Sequence, residues 1–311
     1  MSQAEYVFKR FSPAAIIAAP AASLSYLAIS AVLVGFKTDQ LTLILVFNSF
    51  YFASAFSRKF ILGFLIFIVY WIVFDYMKAF PNYRFNTMHI GDLYGLEKKY
   101  FGIQNGAALF TPNEFLNLFQ HPFLDALSGI FYLCWVPVPL FFAAYLFLKN
   151  KEQFLKFSLT FFWVNILGFV IYYLYPAAPP WYIQHFGDVF YPNTPGNTAG
   201  LQRFDDLFHV SVFQSLYSKS SNVFAAMPSL HAAYPLIVIY YGIKNKMGAI
   251  NFLFVLIALG IWFSAVYSFH HYVLDVVAGV VCCVIGIILF NRIVKLKPVE
   301  TFLERYLKLI M

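Results

Sequence analysis

Three ionisable side chains stand in otherwise apolar segments and are of the types that carry out group transfer. His231 lies in "MPSLHAAYP", and His271 and Asp275 lie four residues apart in "SAVYSFHHYVLDVVAG". On a helix, that spacing stacks two side chains on one face. Ionisable groups at membrane depth are costly to bury and usually functional. The pattern therefore predicts a site that contains His231, His271 and Asp275.

The chemistry open to these three side chains is phosphoryl transfer through a covalent histidine. A carboxylate that accepts a hydrogen bond from one imidazole nitrogen fixes the tautomer and leaves the other nitrogen nucleophilic. A second histidine can act as general acid and base. We expect His271 to be the nucleophile, Asp275 to orient it and His231 to move the proton. This chemistry needs no metal or cofactor, and the cysteines show no metal-ligand spacing.

Two neighbouring residues are further candidates for the site. Ser229 lies near the start of the helix that carries His231, where free backbone N–H groups attract phosphate, and its hydroxyl can donate another hydrogen bond. On a helix, His270 points about 100° away from His271. We therefore treat His270 as a secondary candidate.

The composition indicates a polytopic membrane protein that holds these residues on helices. Of 311 residues, 61% are hydrophobic and only 11% are charged, whereas a soluble domain has about 25% charged residues. We expect an all-α membrane helix bundle of one domain, with N-terminal helices over 1–77, an outer interfacial loop over 78–123, a catalytic core over 124–291 and a tail over 292–311. Eight segments are candidate membrane spans, at about 12–35, 41–57, 60–77, 124–148, 156–175, 229–243, 248–268 and 271–291. Each except the short sixth is near the length that a spanning helix needs, and Asn48 and several serines weaken the second.

The basic residues orient the bundle. With eight spans, 14 of the 21 Lys and Arg residues lie on the side of the termini and 7 lie opposite. Short cytoplasmic loops carry the excess of Lys and Arg, so we expect both termini in the cytoplasm and the loops at about 78–123 and 176–228 on the other face. This orientation places His231, His271 and Asp275 at one depth near that outer face. The net charge of +7 then comes from the basic cytoplasmic flank of a membrane protein. Nucleic acid is therefore not an expected partner.

The first outer loop contains a helix-start pattern. In "TPNEFLNLF", Thr111 is a candidate N-cap, Pro112 occupies the first helical position and Glu114 the third. This is a capping box, and it predicts a short helix whose Phe and Leu residues favour the membrane interface.

Two segments resemble motifs of the type-2 phosphatidic acid phosphatase superfamily. "PSLH" is similar to its second motif, PSGH, and "SAVYSFHHYVLD" is similar to its third, SRxxxxxHxxxD. His231 matches the second motif, and Ser264, His271 and Asp275 match the third. The Leu in "PSLH", the stretch "YPAAPPWY" and the stretch "GLQRFDDLF" further resemble inositol phosphorylceramide synthases of the aureobasidin-resistance type. The resemblance covers about 170–280 and implies a six-helix core with short interfacial helices.

The resemblance also implies an activity. Such an enzyme transfers phosphoinositol from phosphatidylinositol to the primary hydroxyl of ceramide and releases diacylglycerol, so its partners are membrane lipids. His271 would attack phosphorus, and His231 would protonate the departing oxygen and then deprotonate ceramide. The site would face the periplasm of a bacterium or the Golgi lumen of a eukaryote. Oligomeric state is left open.

The departures from the superfamily pattern favour a phosphodiester substrate. Ala265 stands where the third motif has Arg, and "IYYLYPAAPPW", in the place of the first motif, has no basic residue. A bound phosphomonoester is close to dianionic and needs several cations, whereas a diester carries one negative charge. A lipid phosphatase is therefore a weaker alternative than a transferase. A transferase of phosphocholine or phosphoethanolamine also stays open, and so does a non-catalytic lipid transporter.

Five more residues complete the predicted binding site. Arg203 is a nearby cation that we expect to contact the phosphate. Asp205 and Asp206 are candidates to accept hydrogen bonds from inositol hydroxyls, or they are solvated or Arg-paired acids. Trp181 and Tyr182 either lie at the membrane interface or form a wall of the headgroup pocket.

Overall fold

The computed structural model describes residues 13–219 and 222–311, and they form an all-α structure, as predicted. One two-stranded hairpin interrupts the helices, with Gln104 paired to Leu109 in antiparallel register. The elements are α1 Pro13–Leu33, α2 Thr38–Ala53, α3 Ala55–Tyr76, α4 Gly91–Phe101, β1 Ile103–Asn105, β2 Ala108–Phe110, α5 Pro112–Leu116, α6 Pro122–Leu133, α7 Pro137–Lys149, α8 Lys151–Leu174, α9 Pro180–Phe186, α10 Gln202–Phe208, α11 Val212–Tyr217, α12 Leu230–Lys244, α13 Ile250–Tyr267, α14 Val273–Ile293 and α15 Lys297–Ile310.

The polytopic membrane architecture is confirmed. Within the described residues, six helical segments are long and apolar enough to span a bilayer, and they match six of the predicted spans: Ala15–Leu33, Ala55–Ala79, Pro122–Lys149, Lys151–Leu174, Ile250–Tyr267 and Val273–Ile293. The second and sixth predicted spans correspond to α2 and α12, which have 16 and 15 residues. Both are shorter than the roughly 20 residues that cross the hydrocarbon core.

Two predicted spans differ in detail. The fourth is divided into α6 and α7, because Pro137 lacks the backbone N–H that a continuous helix would need and occupies the first turn of α7. The eighth begins at Val273 and not at residue 271. His271 therefore lies just before the helix that carries Asp275.

The residue contacts form two compact units. The first ends at Ala79 and also includes Glu304–Met311, and the second is Phe80–Leu303. In the first unit α2 packs against α1 and α3, and the Tyr306 hydroxyl donates to the Leu62 carbonyl at 2.6 Å. A single domain over the whole chain stays a prediction.

Helix α12 lies at the centre of the second unit, in contact with α7, α8, α13 and α14. Gly279 of α14 permits the closest of these approaches, because a Cβ at this position would lie 2.1 Å from the Ser229 carbonyl oxygen. The start of α12 therefore touches α14 one turn beyond Asp275.

The loop layer, residues 80–121, 175–219 and 222–228, packs at one end of these helices. Its first two segments are joined by backbone hydrogen bonds, from His89 N–H to the Pro176 carbonyl and from Ala178 N–H to the His89 carbonyl, both at 2.9 Å. The side-chain amide of Asn82 donates to the carbonyls of Tyr172 and Phe224. Such bonds satisfy the backbone groups of irregular segments that would otherwise be buried without partners.

The predicted capping box is present in this layer. The Thr111 hydroxyl accepts from the Glu114 N–H at 3.2 Å, and the Glu114 carboxylate accepts from the Thr111 N–H at 2.7 Å. This reciprocal pair starts α5.

We expect Gly279→Ala to lower the free energy of unfolding by about 1–3 kcal/mol, the usual cost of overpacking. Gly95→Ala is the matched control, because Gly95 also lies in a helix but has nothing within 4 Å of an added Cβ. That variant should be neutral or more stable by about 0.5–1 kcal/mol. Thermal unfolding in detergent measures both, and equal effects of the two substitutions would contradict the close approach.

Candidate active site

The three ionisable side chains lie in one row. His231 Nδ1 is 3.0 Å from His271 Nε2, and His271 Nδ1 is 3.5 Å from Asp275 Oδ2. Asp275 is fully buried and His271 nearly so. The row links the start of α12 with the start of α14, and the order of its atoms is that of a nucleophile flanked by a carboxylate and a second imidazole.

The contact between His271 and Asp275 does not arise as the sequence predicted. The expectation that both lie on one face of a helix is wrong, since His271 precedes α14. Tyr272 is the N-cap, in an extended conformation, and Asp275 Oδ2 accepts the Tyr272 N–H at 2.8 Å. The carboxylate therefore caps its own helix and faces the ring of His271 with the same oxygen.

The turn between α13 and α14 presents His271. Phe269 has a φ of +62°, which reverses the chain, and the N–H groups of His270 and His271 both donate to the Ala265 carbonyl at 3.1 and 3.0 Å. Asn113 of α5 donates to the carbonyls of Val266 and His271 at 2.7 and 2.9 Å. The loop layer thus holds the turn by side-chain bonds.

A buried carboxylate of α4 holds the start of α14. Glu97 is fully buried, and it accepts the N–H groups of Val273 and Leu274 at 2.9 and 3.1 Å. Burial raises the pKa of Glu97 to about 7, a cost that these two bonds and the helix dipole partly offset. Sequence reasoning missed Glu97 and Asn113. The capping box was the only signal near Asn113, and no spacing pointed to Glu97.

The start of α12 positions His231. The Ser229 hydroxyl oxygen accepts the Ala232 N–H at 3.3 Å and so caps the helix, and the Ser229 N–H donates to the Asp275 carbonyl at 2.9 Å. Trp135 packs edge-on against His231, with ring centroids 4.6 Å apart. Ser229 is fully buried, so its contact with a phosphate stays a prediction.

Two tyrosines that sequence reasoning missed lie beside His231. The Tyr132 hydroxyl is 3.4 Å from His231 Nδ1, and the Tyr217 hydroxyl donates to the Tyr132 oxygen at 3.3 Å. His270 is buried and stacks on Tyr217 at 4.3 Å, and its Nε2 is 2.9 Å from the Thr198 carbonyl, to which it donates. Because both histidines precede α14, the helical angle expected between His270 and His271 does not apply.

Arg203 lies in an ion pair. Its Nε donates to Asp125 Oδ1 at 2.6 Å, and the Tyr267 hydroxyl donates to the same oxygen at 2.8 Å. The guanidinium carbon is 4.8 Å from the Tyr267 ring centre. Its charge is therefore compensated within the protein, and a contact between Arg203 and phosphate stays a prediction for its other N–H groups.

The two candidate aspartates have different surroundings. Asp205 is buried, and its two oxygens accept the N–H groups of Phe213 and Gln214 at 3.2 and 2.9 Å. This carboxylate holds the start of α11 and has little capacity left for inositol. Asp206 is exposed and accepts from the Gln202 amide at 2.8 Å.

Trp181, Tyr182 and Ser264 belong to the packed interior. Trp181 and Tyr182 are buried in an apolar cluster with residues of the loop layer, and their place at the membrane interface or in the headgroup pocket stays a prediction. The Trp181 N–H donates to the Phe269 carbonyl at 3.1 Å and supports the turn before His271. The Ser264 hydroxyl donates to the Gly260 carbonyl at 2.7 Å within α13.

Ala265, in place of the superfamily's third-motif arginine, is fully buried. It lies in an apolar cluster with Tyr132, Leu201, Phe213 and Ala232. An arginine here would bring an unpaired charge into that cluster, which is costly.

Comparisons with known proteins place the chain in a family and identify relatives by sequence. Residues 105–289 match the PAP2 superfamily. The chain is 40% identical, over 90% of its length and 93% of the relative's, to a phosphoinositol dihydroceramide synthase of Bacteroides thetaiotaomicron. It is 32% identical to an inositol phosphorylceramide synthase of Candida albicans over 47% of this chain. It is 33% identical to the catalytic subunit of the Saccharomyces cerevisiae enzyme over 38% of this chain. The two fungal matches cover 33% and 29% of those proteins. No solved structure matches the chain.

We expect the pair of Arg203 and Asp125 to be strongly coupled, because it is largely buried. Arg203→Met and Asp125→Asn should each lower the free energy of unfolding by about 2–4 kcal/mol, since each leaves a charge without its partner. The double variant should fall short of the sum by about 1–3 kcal/mol. The exposed pair of Glu152 and Lys156 is the control, with a coupling of about 0.3–0.5 kcal/mol. Additive effects at Arg203 and Asp125 would refute the pair.

Proposed function

The chain belongs to the PAP2 superfamily, and on that basis we propose that it is a lipid phosphotransferase that moves phosphoinositol from phosphatidylinositol to a ceramide. The row of His231, His271 and Asp275 within residues 105–289 carries the proposal. The substrates are those in the names of its synthase relatives, one of which matches over 90% of this chain.

The first half-reaction transfers phosphoinositol to the protein. Asp275 favours the His271 tautomer with hydrogen on Nδ1, so Nε2 holds the lone pair that attacks phosphorus. The Nε2–P bond forms as the bond from phosphorus to the diacylglycerol oxygen breaks. His231 is in its imidazolium form, which the negative phosphodiester favours, and gives its Nδ1 proton to that oxygen. The products are neutral His231, diacylglycerol and a phosphohistidine whose positive ring faces Asp275.

The second half-reaction restores the resting site. Neutral His231 takes the proton of the ceramide primary hydroxyl, and the ceramide oxygen attacks phosphorus as the Nε2–P bond breaks. His271 returns to its neutral form and His231 to its imidazolium form. The two ring nitrogens are 3.0 Å apart, too close to hold phosphorus between them, so the rings separate when the donor lipid binds.

The charges around the site favour a diester over a monoester. Ala265 contributes no cation and Arg203 is paired with Asp125. One negative charge can be held by neutral donors and the imidazolium of His231, whereas a nearly dianionic monoester needs more positive charge. We therefore favour transfer over a lipid phosphatase activity. The names of its synthase relatives favour inositol over choline or ethanolamine.

The active site faces the non-cytoplasmic side of the membrane in this proposal. The excess of Lys and Arg on the side of the termini supports that orientation. The loop layer, which contacts both catalytic helix starts, would then be periplasmic or lumenal.

Purified protein with headgroup-labelled phosphatidylinositol and ceramide should yield labelled inositol phosphorylceramide and unlabelled diacylglycerol. His271→Ala should lower turnover by at least about 10³-fold, because it removes the nucleophile. His185→Ala, at an exposed histidine of the loop layer, should be unaffected. Release of water-soluble inositol phosphate alone would indicate a hydrolase, and transfer from phosphatidylcholine but not phosphatidylinositol would indicate the other headgroup class.

The proposed orientation is tested by labelling cysteines with a membrane-impermeant maleimide in sealed cells. Gln104→Cys, exposed in the loop layer, should react from outside. Lys149→Cys, exposed at the end of α7, should react only after permeabilisation. The reverse pattern would place the site on the cytoplasmic face.

A further inference from the structure

Tyr132 of α6 reaches the catalytic row from a helix outside the two motifs. Its side chain is almost fully buried, and its hydroxyl is 3.4 Å from His231 Nδ1. The same nitrogen is 3.0 Å from His271 Nε2. A ring nitrogen meets hydrogen-bond partners only on its outer side, because the ring occupies the other. The Tyr132 hydroxyl and His271 Nε2 therefore flank one space in front of His231 Nδ1.

The hydrogen-bond donors and acceptors leave the Tyr132 proton available. In the proposed mechanism Asp275, whose Oδ2 is 3.5 Å from His271 Nδ1, favours hydrogen on that nitrogen. His271 Nε2 is then the acceptor and His231 Nδ1 the donor in the contact between the rings. Tyr132 cannot donate to a nitrogen that already carries hydrogen. Tyr217 donates to the Tyr132 oxygen and so supplies the hydrogen that this oxygen accepts. The Tyr132 hydrogen is then left for an acceptor other than His231 Nδ1, such as an oxygen of a bound phosphoryl group.

We propose that Tyr132 is a further catalytic residue, whose hydroxyl donates a hydrogen bond to a non-bridging phosphoryl oxygen as phosphoinositol passes to and from His271. The inference rests on the proposed function and deepens it. Attack and departure occur along the line between His271 Nε2 and the oxygen near His231, so the non-bridging oxygens lie to the side of that line, where a donor beside His231 can meet them.

Tyr217 and His270 are positioning residues for Tyr132. Tyr217 orients the hydroxyl through the bond at 3.3 Å, and His270 stacks on both rings, at 4.3 Å from Tyr217 and 5.6 Å from Tyr132. Burial raises the pKa of Tyr217, so its hydroxyl stays protonated and can keep donating.

A neutral donor suits this site, because its charges are few. Ala265 supplies no cation and Arg203 is paired with Asp125. Fixed donors directed at developing charge in a site without bulk water are among the strongest catalytic contributions. Tyr132 would do for a diester what arginine does in superfamily members that have one in the third motif.

The test is Tyr132→Phe in the phosphoinositol transfer assay. We expect kcat to fall by about 10²–10³-fold, the usual effect of losing one such donor, with KM for phosphatidylinositol changed less than about threefold. Tyr217→Phe should lower kcat by about 3–10-fold, since the donor stays but loses its orientation. Tyr241→Phe is the matched control, because it removes a buried hydroxyl bonded to Thr160 on α8 and should leave kcat unchanged.

A second measurement separates catalysis from packing. Replacement of Tyr132 by 3-fluorotyrosine keeps the ring and the hydroxyl but makes the hydroxyl a stronger acid. If the hydroxyl donates in the transition state, kcat should change while the thermal midpoint does not. A wild-type kcat in Tyr132→Phe would overturn the inference. It would also be overturned if Tyr132→Phe and Tyr241→Phe both lost kcat in proportion to their loss of thermal stability. Wild-type protein without any transfer activity would instead refute the proposed function.

Discussion

The row of His231, His271 and Asp275 depends on the close contact between the start of α12 and the start of α14. The Ser229 N–H donates to the Asp275 carbonyl at 2.9 Å, and Gly279 leaves space for the Ser229 carbonyl one turn further on. His231 follows Ser229 by two residues, so this contact sets its distance from Asp275 and His271. A side chain at Gly279 would push apart α12, which carries His231, and α14, which carries Asp275.

The loop layer adds the second constraint, which is the placement of His271. A residue outside a helix has no helical hydrogen bonds to hold it, and buried backbone groups need partners. Asn113 supplies a donor to the His271 carbonyl, and Glu97 supplies acceptors to the first N–H groups of α14. A buried amide and a buried carboxylate are stable in such positions only when bonded. The loops over the bundle are therefore part of the catalytic framework.

The electrostatics of the site connect its structure to its substrate. Arg203, which the sequence predicted as a phosphate contact, is paired with Asp125. At the position of the superfamily's third-motif arginine, Ala265 packs in an apolar cluster. What surrounds the two imidazoles is mostly neutral and hydrogen-bonding. Such surroundings bind one negative charge better than two, in agreement with a phosphodiester lipid as the donor.

The sequence by itself predicted the six long apolar helical segments and the three ionisable side chains that the structure brings into one row. Apolar length predicts spans because a helix must cover the hydrocarbon, and ionisable residues in such segments are rare enough to identify. Its local periodicity could not show that His271 precedes α14, because the helix start depends on the cap formed by Tyr272 and Asp275. Only the tertiary structure shows that Tyr132, Glu97 and Asn113 contact the site. Asn113 and His271 are 158 residues apart, and Tyr132 and His231 are 99 apart. Contacts at such separations depend on how helices and loops pack, for which one chain's local pattern holds no signal.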